Sequence, residues 1–226
     1  MFKKWRTKRL LKKLIKLVNA TEFQNKGLLD EEILIRVANL KEPEKGMVPG
    51  NFYLVCGISG GGKNIFTQHL IDKNPDKEFV IIDPDEYYAK INGDELIRAN
   101  FFKVWITIYL DLHDLEVAGK DVIFTSNALT ESQRTQFLEW FPSFRHHLLW
   151  VISPKEKCFE GNQLRRRHVP NEKLEKQWMR MEFPNPEEKG WDTITHIYNH
   201  WDTNYTSNLI KGNIKELIKF DEFLED

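Results

Sequence analysis

Residues 51–64 read Asn51-Phe-Tyr-Leu-Val-Cys-Gly57-Ile-Ser-Gly-Gly-Gly62-Lys63-Asn64. The apolar first half predicts a short buried strand, and the second half has the spacing G-x-x-x-x-G-K of a phosphate-binding loop. Apolar residues at helical spacing follow, so the loop is expected to lead directly into a helix. Because the motif requires a strand before it and a helix after it, this context favours a phosphate-binding loop over a chance glycine-rich turn.

The residue types in the loop suit the chemistry of phosphate binding. A loop that wraps phosphate oxygens must turn its backbone N–H groups inward, and glycines allow conformations that a Cβ would forbid. Lys63 would supply positive charge to the β- and γ-phosphates of a nucleotide, and the next helix would direct the positive end of its dipole at the same anion. The nucleotide-binding residues predicted on this basis are Gly57, Ser59, Gly60, Gly61, Gly62, Lys63, Asn64 and Ile65.

The composition indicates a globular protein. The chain has 226 residues, of which 41% are hydrophobic and 30% are charged, and this favours one domain with appendages. The two cysteines, Cys56 and Cys158, form no C-x-x-C motif, so neither a disulfide framework nor a zinc site is indicated. A cytoplasmic location is therefore expected.

The charge is distributed unevenly. Residues 1–20 hold eight of the 33 Lys and Arg residues and no acid, so the rest of the chain carries 25 basic against 34 acidic residues. Their apolar spacing predicts an amphipathic helix that is too charged to span a bilayer. It could pack on the protein itself, lie on a membrane surface, or contact a polyanion such as nucleic acid or a partner. We favour the packed helix, because such apolar stripes more often serve packing.

Strands alternate with helices along the remainder of the chain. This alternation predicts an α/β fold with a mostly parallel sheet and helices on both faces. Together with the phosphate-binding loop, it makes a P-loop NTPase-like three-layer fold the expectation. A Pro- and Gly-containing stretch at residues 41–50 places the domain boundary between an N-terminal helical extension, 1–48, and the nucleotide-binding domain, 49–226. After the strand at 51–56, strands are predicted at 79–82, 122–124, 148–152 and 194–198, and helices at 30–40, 93–118, 130–140, 171–181 and 213–223.

Polar side chains follow two of these strands. In a parallel sheet ligands bind beyond the carboxyl ends of the strands, which places Asp83, Asp85, Thr125, Ser126 and Asn127 near the phosphate loop. Two other roles are open for the aspartates, since Asp before a helix commonly caps it or completes a turn.

A metal site is predicted from two oxygen donors. The residue after the motif lysine is usually Ser or Thr, whose hydroxyl binds Mg²⁺, and here it is Asn64. An amide oxygen is a weaker but usable ligand. We therefore predict Asn64 and Asp83 as the Mg²⁺ ligands.

Three consecutive arginines, Arg165 to Arg167, precede His168-Val-Pro170 and a predicted helix. Such a cluster is either a solvated helix face or a lid that stabilises the charge of a transferring phosphate. The sequence alone leaves both interpretations open.

Together these features resemble P-loop kinases of the polynucleotide 5′-hydroxyl kinase type, over residues 52–198. The segment Ile82-Asp-Pro-Asp85-Glu-Tyr-Tyr88 is similar to that family's D-[DE]-[YIF]-R, and residues 162–170 are similar to its R-x-R-x-V-P lid. Residues 119–124, with Leu129-Thr130 after them, lie where the family has a D-x-T-N-L stretch. The resemblance implies ATP or another NTP with Mg²⁺, Asp85 as the general base, and Arg165 and Arg167 as the lid arginines.

The sequence also departs from the family pattern. Tyr88 stands where an arginine is usual, and Gly161 replaces a further lid arginine. Within D-x-T-N, the residues present are Thr125, Asn127 and Ala128.

The resemblance and the motif chemistry predict an NTP-dependent kinase of a hydroxyl, with a polynucleotide 5′-OH as the first expectation. A second interpretation is a zeta-toxin-like kinase of a nucleotide sugar, because those enzymes share a similar loop and aspartate segment. The acidic body argues mildly against a long nucleic-acid footprint. A third is a nucleotide-binding protein that has lost catalysis and acts through interaction.

Overall fold

A computed structural model of the chain describes residues 30–200, 205–213 and 218–219. The basic helix predicted at 1–20 and most of the helix predicted at 213–223 lie outside these residues. The described residues divide into two compact units. We call residues 51–82, 121–138 and 145 onward the sheet unit, and residues 30–50, 83–120 and 139–144 the helical unit. The predicted boundary between residues 48 and 49 stays a prediction.

The sheet unit holds one six-stranded sheet in the order β2-β3-β1-β4-β5-β6. The first five strands are parallel, and β6 pairs antiparallel with β5. This arrangement confirms the predicted α/β fold. The strands are β1 (Asn51–Cys56), β2 (Phe79–Ile82), β3 (Asp121–Ser126), β4 (Arg145–Ile152), β5 (Thr193–Asn199) and β6 (Tyr205–Lys211).

Strand β1 lies in the middle of the sheet, which explains its sequence. Every residue of β1 is buried, as expected for a parallel strand covered on both faces, whose sequence is continuously apolar instead of alternating. Phe52 packs against Phe124 of β3, with ring centroids 6.1 Å apart, and against Phe137, at 5.9 Å. The apolar run before the phosphate loop is therefore the centre of the core.

The helices of the sheet unit connect its strands. Helix α2 (Lys63–Lys73) follows β1, α5 (Glu131–Trp140) follows β3, and α6 (Lys155–Gln163) and α7 (Asn171–Met179) lie between β4 and β5. Helix α6 was not predicted from the sequence, nor was strand β6. The last two residues of α5 belong to the helical unit.

A buried polar network joins the starts of four neighbouring strands. The side-chain N–H of Asn51 donates to Asp121 Oδ1 at 2.7 Å. The Oδ1 of Asn51 therefore faces His147 and accepts from its Nε2 at 3.1 Å. The other ring nitrogen, Nδ1, then accepts from Thr193 Oγ1 at 2.9 Å. Burial lowers the pKa of His147 to about 4, because a charged imidazole is disfavoured away from water. The network therefore uses neutral histidine.

A buried ion pair fixes the segment after α7. Arg134 of α5 is fully buried and pairs with Glu188 through two nitrogens, with Nε at 3.1 Å from Glu188 Oε2. Its Nη1 also donates to the carbonyl oxygens of Leu129 and Glu182. Since a buried guanidinium is tolerated only when it is fully paired, these contacts set the path of residues 182–188.

The helical unit contains α1 (Glu31–Ala38), α3 (Pro84–Asn92) and α4 (Phe101–Val117). Arg36 of α1 makes ion pairs of 2.7 Å with Asp111 and 2.6 Å with Asp114 on α4. The buried His113 contacts the carbonyl oxygen of Lys41 at 2.7 Å. These contacts hold α1 and the following segment against α4.

The helix predicted at residues 93–118 begins later than expected. Gly93 takes a left-handed conformation, with φ of 81°, and ends α3. Asn100 is also left-handed, with φ of 51°, and α4 starts only after it. Leu96 and Ile97, whose spacing suggested the helix, are 44% and 48% exposed in the connection. The early part of this prediction is therefore wrong.

Across the described residues, no helix combines the length and the apolar character that a membrane span requires.

Candidate phosphate-binding site

The glycine-rich loop leaves the carboxyl end of β1, the strand that lies between β3 and β4. In the strand order, β2 and β3 lie on one side of β1, toward one edge of the sheet, and β4 lies on the other side, toward the opposite edge. Strand β1 therefore marks the point where the strand order reverses. Ligands bind beyond the carboxyl ends of strands at such a point. Helix α2 begins at Lys63 with Gly62 as its N-cap, so its N-terminus faces the loop.

Two glycines of the loop are required by the structure. Gly60 has φ of 79°, and a Cβ on it would lie 2.1 Å from the carbonyl oxygen of Cys158 on α6. Gly62 has φ of 90°, and its Cβ would lie 2.4 Å from Asn199 Nδ2. Any side chain at either position would strain the backbone and displace a neighbour. Close packing by α6 and β5 therefore shapes the loop.

The ammonium group of Lys63 is folded over the loop. Its Nζ donates to the carbonyl oxygens of Gly57, at 3.0 Å, and Ile58, at 2.8 Å. The side chain thus lies along the concave loop, at the N-terminus of α2. An anion bound by the loop would meet both the lysine charge and the helix dipole.

Ser59 connects the loop to two other parts of the sheet unit. Its backbone N–H donates to Gln177 Oε1 of α7 at 3.1 Å. Its hydroxyl accepts from Asn127 Nδ2, just beyond β3, at 2.8 Å. The structure therefore brings Asn127 to the loop, as the strand-end argument predicted.

The carbonyl oxygen of Gly61 accepts two side-chain hydrogen bonds. Ser153 Oγ, just beyond β4, donates at 2.7 Å, and Asn199 Nδ2, the last residue of β5, donates at 3.1 Å. Both donors belong to buried residues. The loop is thus held by the carboxyl ends of two further strands.

The arginine segment is closed at its base by one side chain. Asn162, at the end of α6, donates from Nδ2 to Val169 O at 2.8 Å and accepts from Val169 N at 3.0 Å. The loop between them presents Arg165 and Arg167 as half-buried side chains and Arg166 as an exposed one. The backbone N–H of Asn162 would be 2.7 Å from a Cβ on Gly60, so the base of this segment lies against the phosphate loop.

The two aspartates belong to the helical unit. Asp83 caps α3, since its Oδ1 accepts from the N–H of Asp85 at 2.9 Å. This is the capping role that the sequence left open. Asp85 makes a short ion pair with Arg98. The Arg98 guanidinium carbon lies 4.0 Å from the ring centroid of the buried Tyr88, a cation–π contact.

The predicted metal ligands offer oxygen atoms, the donors that Mg²⁺ prefers. Asn64 is exposed in the first turn of α2, and Asp83 is partly exposed. Within the described ranges, no group of three or more His, Cys, Asp or Glu residues could hold a metal ion. Each residue, in its own unit, offers an oxygen to a Mg²⁺ ion that keeps waters, rather than an all-protein cage.

The cysteines are buried thiols. Burial raises the pKa of Cys56 to about 12 and that of Cys158 to about 11, although nearby Lys63 lowers both. A thiol with such a pKa is a poor nucleophile at neutral pH. Both cysteines therefore act in packing.

Sequence reasoning missed three residues that contact the loop from distant parts of the chain, and such contacts leave no local pattern. These residues are Gln177, Ser153 and Asn199. In the helical unit it also missed Arg98, which pairs with Asp85.

Comparison with known proteins identifies the architecture. A family model described as an AAA domain matches residues 53–184, which is more than half of the chain. No curated protein sequence matches the chain.

Two solved structures have a similar fold. One is the Pnkp1/Rnl/Hen1 RNA repair complex, with a TM-score of 0.51 and 14% identity over 62% of this chain and 46% of that chain. Another is Kti12 of Chaetomium thermophilum in complex with ADP-AlF3, with a TM-score of 0.50 and 17% identity over 67% of this chain and 90% of that chain. At these identities the likeness is one of fold.

Proposed function

The chain belongs to this AAA-domain family, and on that premise we propose that it is an NTP-dependent phosphotransferase that moves a γ-phosphate to a hydroxyl acceptor. One observation carries the proposal. A glycine loop with two left-handed glycines joins the central strand to a helix that starts at Lys63. This arrangement suits the binding of nucleotide phosphates through backbone N–H groups.

The proposed roles follow from what phosphoryl transfer requires. Lys63 would bind the β- and γ-phosphates, and Arg165 and Arg167 would stabilise negative charge that develops during transfer. Asp85 would accept the proton of the acceptor hydroxyl as general base. Mg²⁺, when bound through Asn64 and Asp83, would neutralise phosphate charge.

The first acceptor that we propose is a polynucleotide 5′-OH. The order of the motif matches between residues 57 and 170 supports it, and so does the similar fold within an RNA repair complex. The excess of acidic over basic residues beyond residue 20 favours a short contact at a strand end over a long footprint. The same charge balance also favours the second candidate, a small-molecule or nucleotide-sugar hydroxyl.

A third candidate is a nucleotide-binding protein without catalytic activity. It is favoured by the aspartate segment, where Asp85 is engaged by Arg98 and Tyr88 is buried at 4% exposure. In this case ATP would bind to the loop but would not be turned over.

Incubation with γ-labelled ATP and Mg²⁺ tests the three candidates together. The acceptors are a 5′-OH DNA, a 5′-OH RNA and a panel of nucleotide sugars, with matched 5′-phosphorylated oligonucleotides as controls. Label on the 5′-OH oligonucleotides alone is the expected result. Label on a nucleotide sugar would move the proposal to a small-molecule kinase. ATP binding by calorimetry without transfer to any acceptor would favour the non-catalytic candidate.

A further inference from the structure

The peptide between Gly61 and Gly62 is anchored from outside the loop. The Gly61 carbonyl oxygen accepts from Ser153 Oγ at 2.7 Å and from Asn199 Nδ2 at 3.1 Å. Ser153 is 6% exposed and Asn199 is 7% exposed, so both donors bind this oxygen where water has little access. Neither residue belongs to the phosphate-binding motif.

Peptide geometry gives these two bonds a directional effect. In a planar trans peptide the C=O of one residue and the N–H of the next point in opposite directions. A carbonyl of Gly61 that points toward Ser153 and Asn199 therefore directs the N–H of Gly62 to the opposite side. That N–H is one of the backbone donors with which a phosphate-binding loop of this spacing holds its anion.

This peptide needs an external anchor because glycines flank it. Glycine populates positive and negative φ with similar ease, so a peptide between two glycines can rotate at little steric cost. Gly62 has φ of 90°, which is one of the conformations that glycine adopts at little cost. Without the two side chains the N–H of Gly62 would point toward the anion for only part of the time.

We propose that Ser153 and Asn199 are positioning residues that hold the N–H of Gly62 toward a bound phosphate. The inference rests on the proposed function, because the phosphate is that of the bound nucleotide. Asn199 has a second effect at the same place, since its Nδ2 occupies the space that a Cβ on residue 62 would need. The Asn199 amide thus fixes the orientation of the Gly61–Gly62 peptide, and its position leaves room only for glycine at residue 62.

The test measures the affinity for ADP in Mg²⁺ by calorimetry and the melting temperature of the free protein. Asn199→Leu keeps the approximate size of the side chain and adds no charge but removes the donor, and Ser153→Ala removes the other donor. Each variant should weaken ADP binding about fivefold, the equivalent of one hydrogen bond. The double variant should weaken it roughly 25-fold or more, because the peptide then loses both anchors.

Two further variants separate positioning from general stability. Ser153→Thr keeps the hydroxyl and should restore affinity relative to Ser153→Ala. Thr195→Val removes a hydroxyl of the same strand as Asn199 that has no hydrogen-bond partner among the described residues, and it should leave ADP affinity unchanged. If Asn199→Leu does not fold, the comparison of Ser153→Ala with Ser153→Thr decides the question alone.

Affinity loss in variants that melt like the wild type would support the inference. Wild-type affinity in a folded double variant would overturn it while leaving the proposed function intact. A loss that Ser153→Thr does not restore, or that Thr195→Val reproduces, would also overturn it. A wild-type protein that binds neither ADP nor ATP would overturn the proposed function, and the inference with it.

Discussion

Lys63 in the phosphate loop is held by two backbone carbonyls, whereas Asp85 in the first turn of α3 is held by the guanidinium of Arg98. The carbonyls belong to the loop itself, at Gly57 and Ile58, so the motif carries the support of its own lysine. The partner of Asp85 lies 13 residues away and outside any motif. The comparison shows that the contacts of Lys63 lie within its own motif, while Asp85 is paired with a residue that no sequence pattern predicts.

Among the substitutions that test this comparison, replacing Asp85 should have the largest effect on turnover. Asp85→Asn is expected to lower turnover by roughly 10² to 10⁴, the contribution of a general base, with ATP affinity nearly unchanged. Steady-state kinetics and ATP calorimetry measure the two quantities. Glu86→Gln, on the exposed neighbour in the same turn, is the control and should keep its turnover. Unchanged turnover in Asp85→Asn would reduce Asp85 to a structural member of the turn.

Replacing Lys63 tests the other region in the comparison, the phosphate loop, through its affinity for ATP. Lys63→Ala should weaken ATP binding roughly 10- to 100-fold, because a hydrogen bond between charged groups contributes about 1.5–3 kcal/mol. Its melting temperature should stay close to that of the wild type. Lys73→Ala, at the other end of α2, is the matched control and should bind ATP normally. Equal binding by Lys63→Ala would contradict the assignment of the loop.

Variants of Arg98 test whether catalysis by the aspartate segment depends on this partner of Asp85. Arg98→Ala should lower kcat about tenfold, the scale of one lost charged hydrogen bond, and should leave ATP affinity unaltered. Arg98→Lys keeps the charge but loses the planar group over Tyr88, so its kcat should lie between those of the wild type and Arg98→Ala. A separate rise in the KM for ATP would instead show that Arg98 contributes to nucleotide binding.

The smallest effect is expected at the metal position of the loop. Asn64→Ser supplies the hydroxyl usual at this position and should strengthen Mg²⁺-dependent nucleotide binding about threefold, a fraction of one hydrogen bond. A Mg²⁺ titration of nucleotide affinity measures it, with Asn64→Ala as the variant that lacks any oxygen ligand. If all three proteins respond alike to Mg²⁺, the metal is held elsewhere, and Asp83 becomes the residue to test.

The sequence predicted the central elements because their signals are local. Strand β1, the glycine loop and α2 follow one another without a gap, and β2, β3 and β4 each contain a short apolar run. Helix α6 escaped prediction because its buried residues are Cys158, Gly161 and Asn162, which form no apolar stripe. Its position is set by packing against Gly60, and such packing is visible only in three dimensions.

The site was predictable to the same extent. The glycines and Lys63 predict the loop, because its backbone conformation requires glycine and phosphate binding requires a positive charge. The residues that hold it do so from a distance, because Ser153 lies 92 residues and Asn199 lies 138 residues from Gly61 along the chain. A serine or an asparagine at a strand end has too many ordinary roles for either to be singled out.

The buried Arg134 restricts how the stretch between residues 153 and 182 can move. It fixes Glu182, and Ser153 fixes the other end of the stretch that carries α6, the arginines and α7. Opening the Arg134 end would separate a buried ion pair, which costs about 3–5 kcal/mol where one charge is left buried and unpaired. The Gln177 contact with Ser59, in contrast, is one neutral hydrogen bond, worth about 1 kcal/mol. If the stretch moves when a nucleotide enters, we expect it to swing between two hinges, at residues 153 and 182, and to release Gln177 first.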